Sequence, residues 1–332
     1  MTGQTIGVLV MAYGTASHPD DIERYYTDIR SGRPPSPEHL ADLVERYRSI
    51  GNVFPLLDTT RAQADGLVDR LNAVGGHDGS DDRFRAYLGM KHSPPFIPEA
   101  VARMRDEGVE RGIGIVMAPH WSGMSVETYV ERVQVASEGG GPRWTFVRHF
   151  HDHPRFVALL ADRVREALDG LDQAARRAPT VLFTAHSLPV RAADDGSLRC
   201  LACDCDHSCR YRDGLQETAD MVAAGLDLPA YGIAWQSAGR TREPWWGPPL
   251  EEVIAKLATQ GRSAVVVCSA GFVADHLETL YDLDIEARAV AQRAGIGFTR
   301  TRMPNADPAF LDVLAEVVRE HLADDREGVR PA

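Results

Sequence analysis

Along the chain, short apolar and β-branched runs alternate with longer stretches whose apolar residues recur at helical spacing. Eight runs read as strands: IGVLVMAY (6–13), FRAYLG (84–89), IGIVMAP (113–119), TFVRHF (145–150), TVLFTAH (180–186), AYGIAWQ (230–236), AVVVCSA (264–270) and GFTRTRM (297–303). Strands alternating with helical patterns are the signature of βαβ units around mostly parallel sheets, so the chain is predicted to be α/β. Four runs fall in each half, which suggests a duplication.

Two helical segments support that reading. HPRFVALLADRVREAL (153–168) and DPAFLDVLAEVVREHL (307–322) match at an offset of 154 residues, with Pro154/Pro308, Phe156/Phe310, Leu160/Leu314, Ala161/Ala315, Val164/Val318, Arg165/Arg319, Glu166/Glu320 and Leu168/Leu322 identical. Each copy opens with proline near the first helical position and continues with an apolar stripe. Helical periodicity fades in LDGLDQAARRAPT (168–180), so the expected domains are 1–170 and 171–325, the second with a cysteine-rich insertion at 196–212. Segments 74–82 and 138–143 read as loops, and 326–332 as a frayed tail.

Composition narrows the class. An apolar fraction of 44% and a charged fraction of 25% are those of a globular chain, and 332 residues suffice for about two domains. The formal charge of −12 argues against nucleic acid or an anionic membrane as partner. MTGQTIGVLVMAYG lacks a basic leader, and no segment reaches the ~18 uncharged apolar residues of a spanning helix. A cytoplasmic protein without a membrane anchor, and a monomer, is therefore expected.

In open α/β sheets ligands bind beyond the carboxyl ends of the strands. Those positions carry Tyr13, Lys91, His92, His120, Trp121, His186, Gln236, Ser237, Asp275, His276 and Glu278. His186, in TAHSLP, is a base or metal ligand by type. Glu278, Asp282 and Glu286 recur every fourth residue, placing three carboxylates on one helix face, where their repulsion would be relieved by a divalent cation. TREPWWGPPLEEV (241–253) either walls an apolar pocket or caps the sheet. Segment 25–57 mixes aromatic, apolar and arginine side chains, a mixture suited to a flat apolar ligand bearing carboxylates.

CLACDCDHSC (200–209) holds Cys200, Cys203, Cys205 and Cys209, four of the five cysteines. In a reducing compartment such a cluster binds metal more readily than it forms structural disulfides. Four thiolates at this spacing accept Zn(II) or an iron–sulfur cluster, and His207 is an alternative ligand. Cys268, inside an apolar run, reads as a core thiol.

Taken together, VMAYGT, IERYYTDIR, FPLLDTTRAQA, YLGMKHSPPFI, TAHSLP, AWQSAGRTREPWWGP, GFVADHLETLYDLDIEA and MPNADPAF, spread over residues 5–322, resemble the ferrochelatase family, and within it the bacterial coproporphyrin ferrochelatases. The resemblance implies two similar Rossmann-like domains with four-stranded sheets, the chelatase fold, and a porphyrin cleft between them. It implies insertion of Fe(II) into coproporphyrin III in heme biosynthesis, with release of two pyrrole protons. By motif position His186 and Glu278 are the metal-handling and proton-accepting pair, and Tyr13 faces the opposite side of the ring. Asp282 and Glu286 are a cation relay or an outer magnesium site.

Coproporphyrin carries four propionates, and Arg30, Arg46, Tyr47 and Tyr129 lie in matching stretches as their expected donors. One departure stands out: Phe54 occupies the position before Pro-Leu where the family usually has serine, which puts a propionate hydrogen bond there in doubt. Some bacterial members carry a 2Fe–2S cluster, so the resemblance favours that centre over zinc at the four cysteines. The competing expectations are a chelatase for another tetrapyrrole or metal, such as protoporphyrin IX or cobalt, and a non-catalytic heme-binding or iron–sulfur redox sensor.

Overall fold

A computed structural model describes residues 4–73, 82–193, 196, 198–201, 210–239 and 241–327. The chain begins with β1 (Thr5–Ala12), α1 (Ile22–Ile29), α2 (Pro37–Ser49) and α3 (Leu56–Ala73). It continues through β2 (Arg83–Met90), α4 (Ile97–Asp106), β3 (Arg111–Val116), α5 (Val126–Ala136), β4 (Arg143–Val147) and α6 (Pro154–Asp169). Next come β5 (Pro179–His186), the short hairpin β6 (Val190–Ala192) and β7 (Leu198–Cys200), α7 (Arg210–Leu226), β8 (Tyr231–Gln236), α8 (Leu250–Thr259) and β9 (Ala264–Cys268). A π-helix (Glu278–Ala287) then runs into α9 (Arg288–Ala294), followed by β10 (Gly297–Arg300) and α10 (Pro308–Glu327).

Two four-stranded parallel sheets result, ordered β2-β1-β3-β4 and β8-β5-β9-β10. In each, the strands appear in the spatial order second, first, third, fourth. This shared topology supports the duplication more strongly than the helix match does. The central strands are apolar on both faces because helices cover both: β1 is buried from Ile6 to Ala12 and β9 throughout. All eight runs form strands, but several stop short, at Val116, Val147, Cys268 and Arg300, leaving the residues beyond them to loops.

The chain divides into two compact units in a way the expected boundary near residue 170 does not capture. One comprises residues within 1–118, 126–150 and 304–332, the other 119–125 and 151–303. Helix α6 follows β4 but packs on α7 and β9, and α10 follows β10 but packs on α3 and β4. The apolar face of α10 meets α3 so closely that a Cβ added to Gly66 would lie 2.5 Å from a Leu311 methyl. Arg70 reinforces the contact through Asp312, with its Nε 2.5 Å from the carboxylate. The two helices that carry the internal match are thus exchanged between the halves of the chain.

Candidate active site

In the second unit β5 delivers His186 at its carboxyl end, the loop after β9 delivers His276, and the first position of the π-helix delivers Glu278. His186 Nε2 lies 3.7 Å from Glu278 Oε1, and His276 Nε2 lies 3.6 Å from Oε2, so two imidazoles bracket one carboxylate. Both rings are oriented from behind. His186 Nδ1 donates to the Ser187 carbonyl, and His276 Nδ1 donates to the Ala274 carbonyl at 2.9 Å. With Nδ1 engaged as donor, Nε2 is the ring atom left to face Glu278, where it donates when it carries a proton and offers a lone pair to a metal when it does not. Burial alone would lower the pKa of His276, but the Glu278 carboxylate outweighs it and holds the imidazole above its ordinary value. His276 stood among the strand-end residues in the sequence without an assigned role; the structure places it beside Glu278.

The segment that carries the carboxylate row is π-helical over Glu278–Ala287, a rare geometry that occurs frequently at functional sites. The three acids differ in environment more than their even spacing suggests. Asp282 is buried and accepts a hydrogen bond from the Ser237 hydroxyl, whereas Glu278 and Glu286 are half-buried. Burial raises the pKa of Glu251, and the nearby Glu286 charge adds to the rise. Arg300, at the end of β10, donates to both Asp284 oxygens (2.9 and 2.8 Å) and to Asp275 (2.9 Å). It thereby ties the π-helix to the loop that precedes it.

The 241–249 loop lies against the strand leading away from His186. Trp246 N–H donates to the Leu188 carbonyl, and the Ser187 hydroxyl donates to the Trp246 carbonyl. Trp246 is buried and stacks on Trp235, while Trp245 stands 6.3 Å from the His186 ring. The loop therefore caps the sheet with one tryptophan and flanks the histidine with the other.

In the first unit Tyr13 is 42% exposed just beyond β1, its ring 4.6 Å from that of His92. The turn demands glycine at 14, which has φ of +100°, and a Cβ there would meet Ser93 Oγ at 2.7 Å. Lys91 Nζ donates to Thr128 Oγ1 (2.7 Å) and sits 5.1 Å from the centre of the Tyr129 ring. Burial, with Arg132 nearby, pushes its pKa down to about 8. Burial likewise takes His92 down to about 4, although its Nδ1 donates to Asp28 at 2.7 Å.

The expected propionate donors fall into two groups. Arg30 ends α1 with its Nε donating to the Arg33 carbonyl and its guanidinium 5.9 Å from the Tyr26 ring, and Arg46 pairs with Asp42 at 3.3 Å. Tyr47 and Tyr129 are instead packed in the core, 2% and 3% exposed. Phe54 stacks on Tyr47 with ring centres 4.7 Å apart, and the Tyr47 hydroxyl lies 3.3 Å from that of Thr15. Of the four cysteines, Cys200 is buried at the end of β7, with its strand neighbour Val190 four residues beyond His186. Cys203, Cys205 and Cys209 lie outside the described residues. Cys268 is buried in β9, where burial pushes its thiol up to about 12, as a core thiol requires.

Both units are parallel α/β sheets, and both carry histidines at or just beyond their strand ends. Solved structures agree on the fold: SirB from Bacillus subtilis with Fe3+ (TM-score 0.57, 11% identity, 98% of each chain) and CbiX (TM-score 0.53, 14% identity, 95% of this chain and 98% of that one). The ferrochelatase family model matches residues 5–322, and the chain belongs to that family. It is 43% identical to the coproporphyrin III ferrochelatase of Anoxybacillus flavithermus, over 99% of this chain and all of that one. It is 41% identical to that of Bacillus subtilis, over 97% of this chain and 99% of that one. Among the described residues no helix is long and apolar enough to cross a membrane.

Proposed function

We propose that this chain inserts Fe(II) into coproporphyrin III in heme biosynthesis, using His186 and Glu278. The observation that carries the reading is the Glu278 carboxylate held between two Nε2 atoms, 3.7 and 3.6 Å away. Metallation replaces two pyrrole N–H bonds with bonds to one Fe(II) and releases two protons. A pyrrole N–H is a weak acid, so the reaction needs a base in reach and a metal presented to the ring nitrogens. Glu278 supplies the proton acceptor, and His186 supplies an imidazole nitrogen oriented by its own Nδ1 hydrogen bond. Exposed Tyr13 serves as a porphyrin-facing group, with Arg30 and Arg46 as propionate donors. The relatives' names, at 41 to 43% identity over nearly the whole chain, support coproporphyrin III as the substrate.

Asp282 and Glu286 extend the negative charge away from Glu278 toward Glu251, a build-up that a passing iron or a resident magnesium ion would relieve. Cys200, Cys203, Cys205 and Cys209 are proposed to hold a 2Fe–2S centre in the cytoplasm. The donor set fits, because four thiolates saturate such a cluster and Cys200 is already placed in a buried setting. Iron and sulfide in equal amounts with visible absorption bands are expected of the purified protein. A colourless protein containing zinc would refute the cluster without touching the chelatase reading.

The test of the reaction is an anaerobic assay with Fe(II) and either coproporphyrin III or protoporphyrin IX. Coproporphyrin III is expected to be metallated with the higher kcat/KM. His186→Ala is expected to bind the porphyrin but not to metallate it. A native protein that metallates neither porphyrin would defeat the reading.

A further inference from the structure

We propose that Gln236 is the positioning residue that fixes His186 and Glu278 relative to each other, an inference that rests on the reading of those two as the reacting groups. Gln236 ends β8, pairs in register with His186, and is 1% exposed. Its main-chain carbonyl accepts the Ser187 N–H at 2.7 Å. Its side-chain Nε2 donates to the Glu278 carbonyl at 3.3 Å, and its Oε1 accepts from Thr184 Oγ1 at 2.8 Å and from Ser269 Oγ at 3.4 Å. One buried residue therefore joins the end of β5, the loop after β9 and the first residue of the π-helix.

The chemistry of the three side-chain partners suits an amide. A main-chain carbonyl only accepts, so the atom facing Glu278 must be a donor. With the amide nitrogen committed to that carbonyl, the amide oxygen faces the Thr184 and Ser269 hydroxyls, which donate to it. A carboxamide offers both from one planar group without having to hold a particular protonation state. Leucine or methionine would fill the same volume without the cost of desolvating an amide, a cost native interiors accept only where the partners are in place.

The peptide group between His186 and Ser187 is held at both of its polar atoms. Its N–H goes to Gln236, and its carbonyl accepts the Tyr211 hydroxyl at 3.0 Å. The His186 imidazole in turn donates to the next carbonyl, that of Ser187. Gln236 thus sets the backbone from which His186 projects and, through its side chain, the backbone from which Glu278 projects. Releasing the amide lets the two drift apart, and a displacement of about 1 Å at reacting groups is worth up to about 100-fold in rate.

The experiment compares Gln236→Met, which keeps the volume and loses both hydrogen-bonding functions, with Thr184→Val, which removes only the hydroxyl that orients the amide. In anaerobic assays with Fe(II) and coproporphyrin III, Gln236→Met is expected to lower kcat about 10- to 100-fold with the porphyrin KM within about threefold. Thr184→Val is expected to show the same split at smaller amplitude. Combining Gln236→Met with Glu278→Gln is expected to add little to the loss from Glu278→Gln alone, because the residues act as one unit. An unchanged kcat in Gln236→Met, or a loss that multiplies with that of Glu278→Gln, overturns the positioning role. If Gln236→Met does not fold, an unchanged kcat in Thr184→Val overturns it instead. Full activity in both His186→Ala and Glu278→Gln would mark the failure of the underlying reading, which is a different result.

Discussion

Burying an ammonium beside an arginine costs free energy, and in the first unit Lys91 carries that cost. Its folded pKa of about 8 lies below the ordinary lysine value of 10.5. Between those values the unfolded chain holds a proton that the folded chain lacks, so stability rises with pH across this window. Below about pH 8 both states are charged and the burial penalty is present in full. Lys91→Met is therefore expected to raise stability at pH 7 by about 1 kcal/mol, net of the lost Thr128 hydrogen bond, with the gain shrinking as pH climbs toward 10. Denaturant titrations at pH 7 and pH 9.5 check the sign: a gain that grows with pH would contradict it. In the second unit, His276→Ala frees one Glu278 oxygen and is expected to lower kcat about tenfold, less than Glu278→Gln does; single-turnover metallation measures both. His186 and Glu278 were legible because strand ends and a motif mark them. Gln236 was visible at a strand end, but its partner is a carbonyl 42 residues away, and no side-chain pattern encodes that hydrogen bond.

At the scale of the element, the spacing of Glu278, Asp282 and Glu286 told of a helix with an acidic side but not of its hydrogen-bond register. A π-turn and an α-turn call for the same residue types, and tertiary anchors decide between them. Here the anchor is Arg300, largely buried, which grips Asp284 within the π-helix and Asp275 before it. In the sequence Asp275 stands among the strand-end residues with no partner assigned, and nothing singles out Asp284. Removing one member of a buried ion network leaves the others uncompensated, so Arg300→Met is expected to cost on the order of 3 kcal/mol in unfolding free energy. Arg300→Lys keeps the charge but loses the two-pronged contact, and should recover only part of that loss. Equilibrium denaturation of the three proteins is the check, and a methionine variant as stable as the parent would show that the π-helix needs no such anchor.

At the scale of the whole molecule, the eight strands and the duplication were legible because apolar runs and a repeated helix are written locally. The assignment of helices to units was not. An amphipathic stripe states that a helix packs, while the sheet it packs on depends on where the chain travels after its fourth strand. Helix α10 is the clearest case: last in the sequence, it belongs to the first unit. Arg319 donates to the Arg70 carbonyl at 2.6 Å, Asp312 meets Arg70, Phe310 lies 6.5 Å from Phe150, and His321 Nε2 is 2.6 Å from Thr145 Oγ1. A chain ending at residue 303 is therefore expected to lose hydrogen-exchange protection in α3 and β4 while retaining it in β5 and β9. Division at residue 170 makes the opposite prediction, because α10 would then belong to the second unit and its removal would expose that sheet. Exchange measured by peptide over 56–73, 143–147, 179–186 and 264–268 separates the two: protection lost in the last two segments and kept in the first two would show that α10 stabilises the sheet it follows rather than the one it covers.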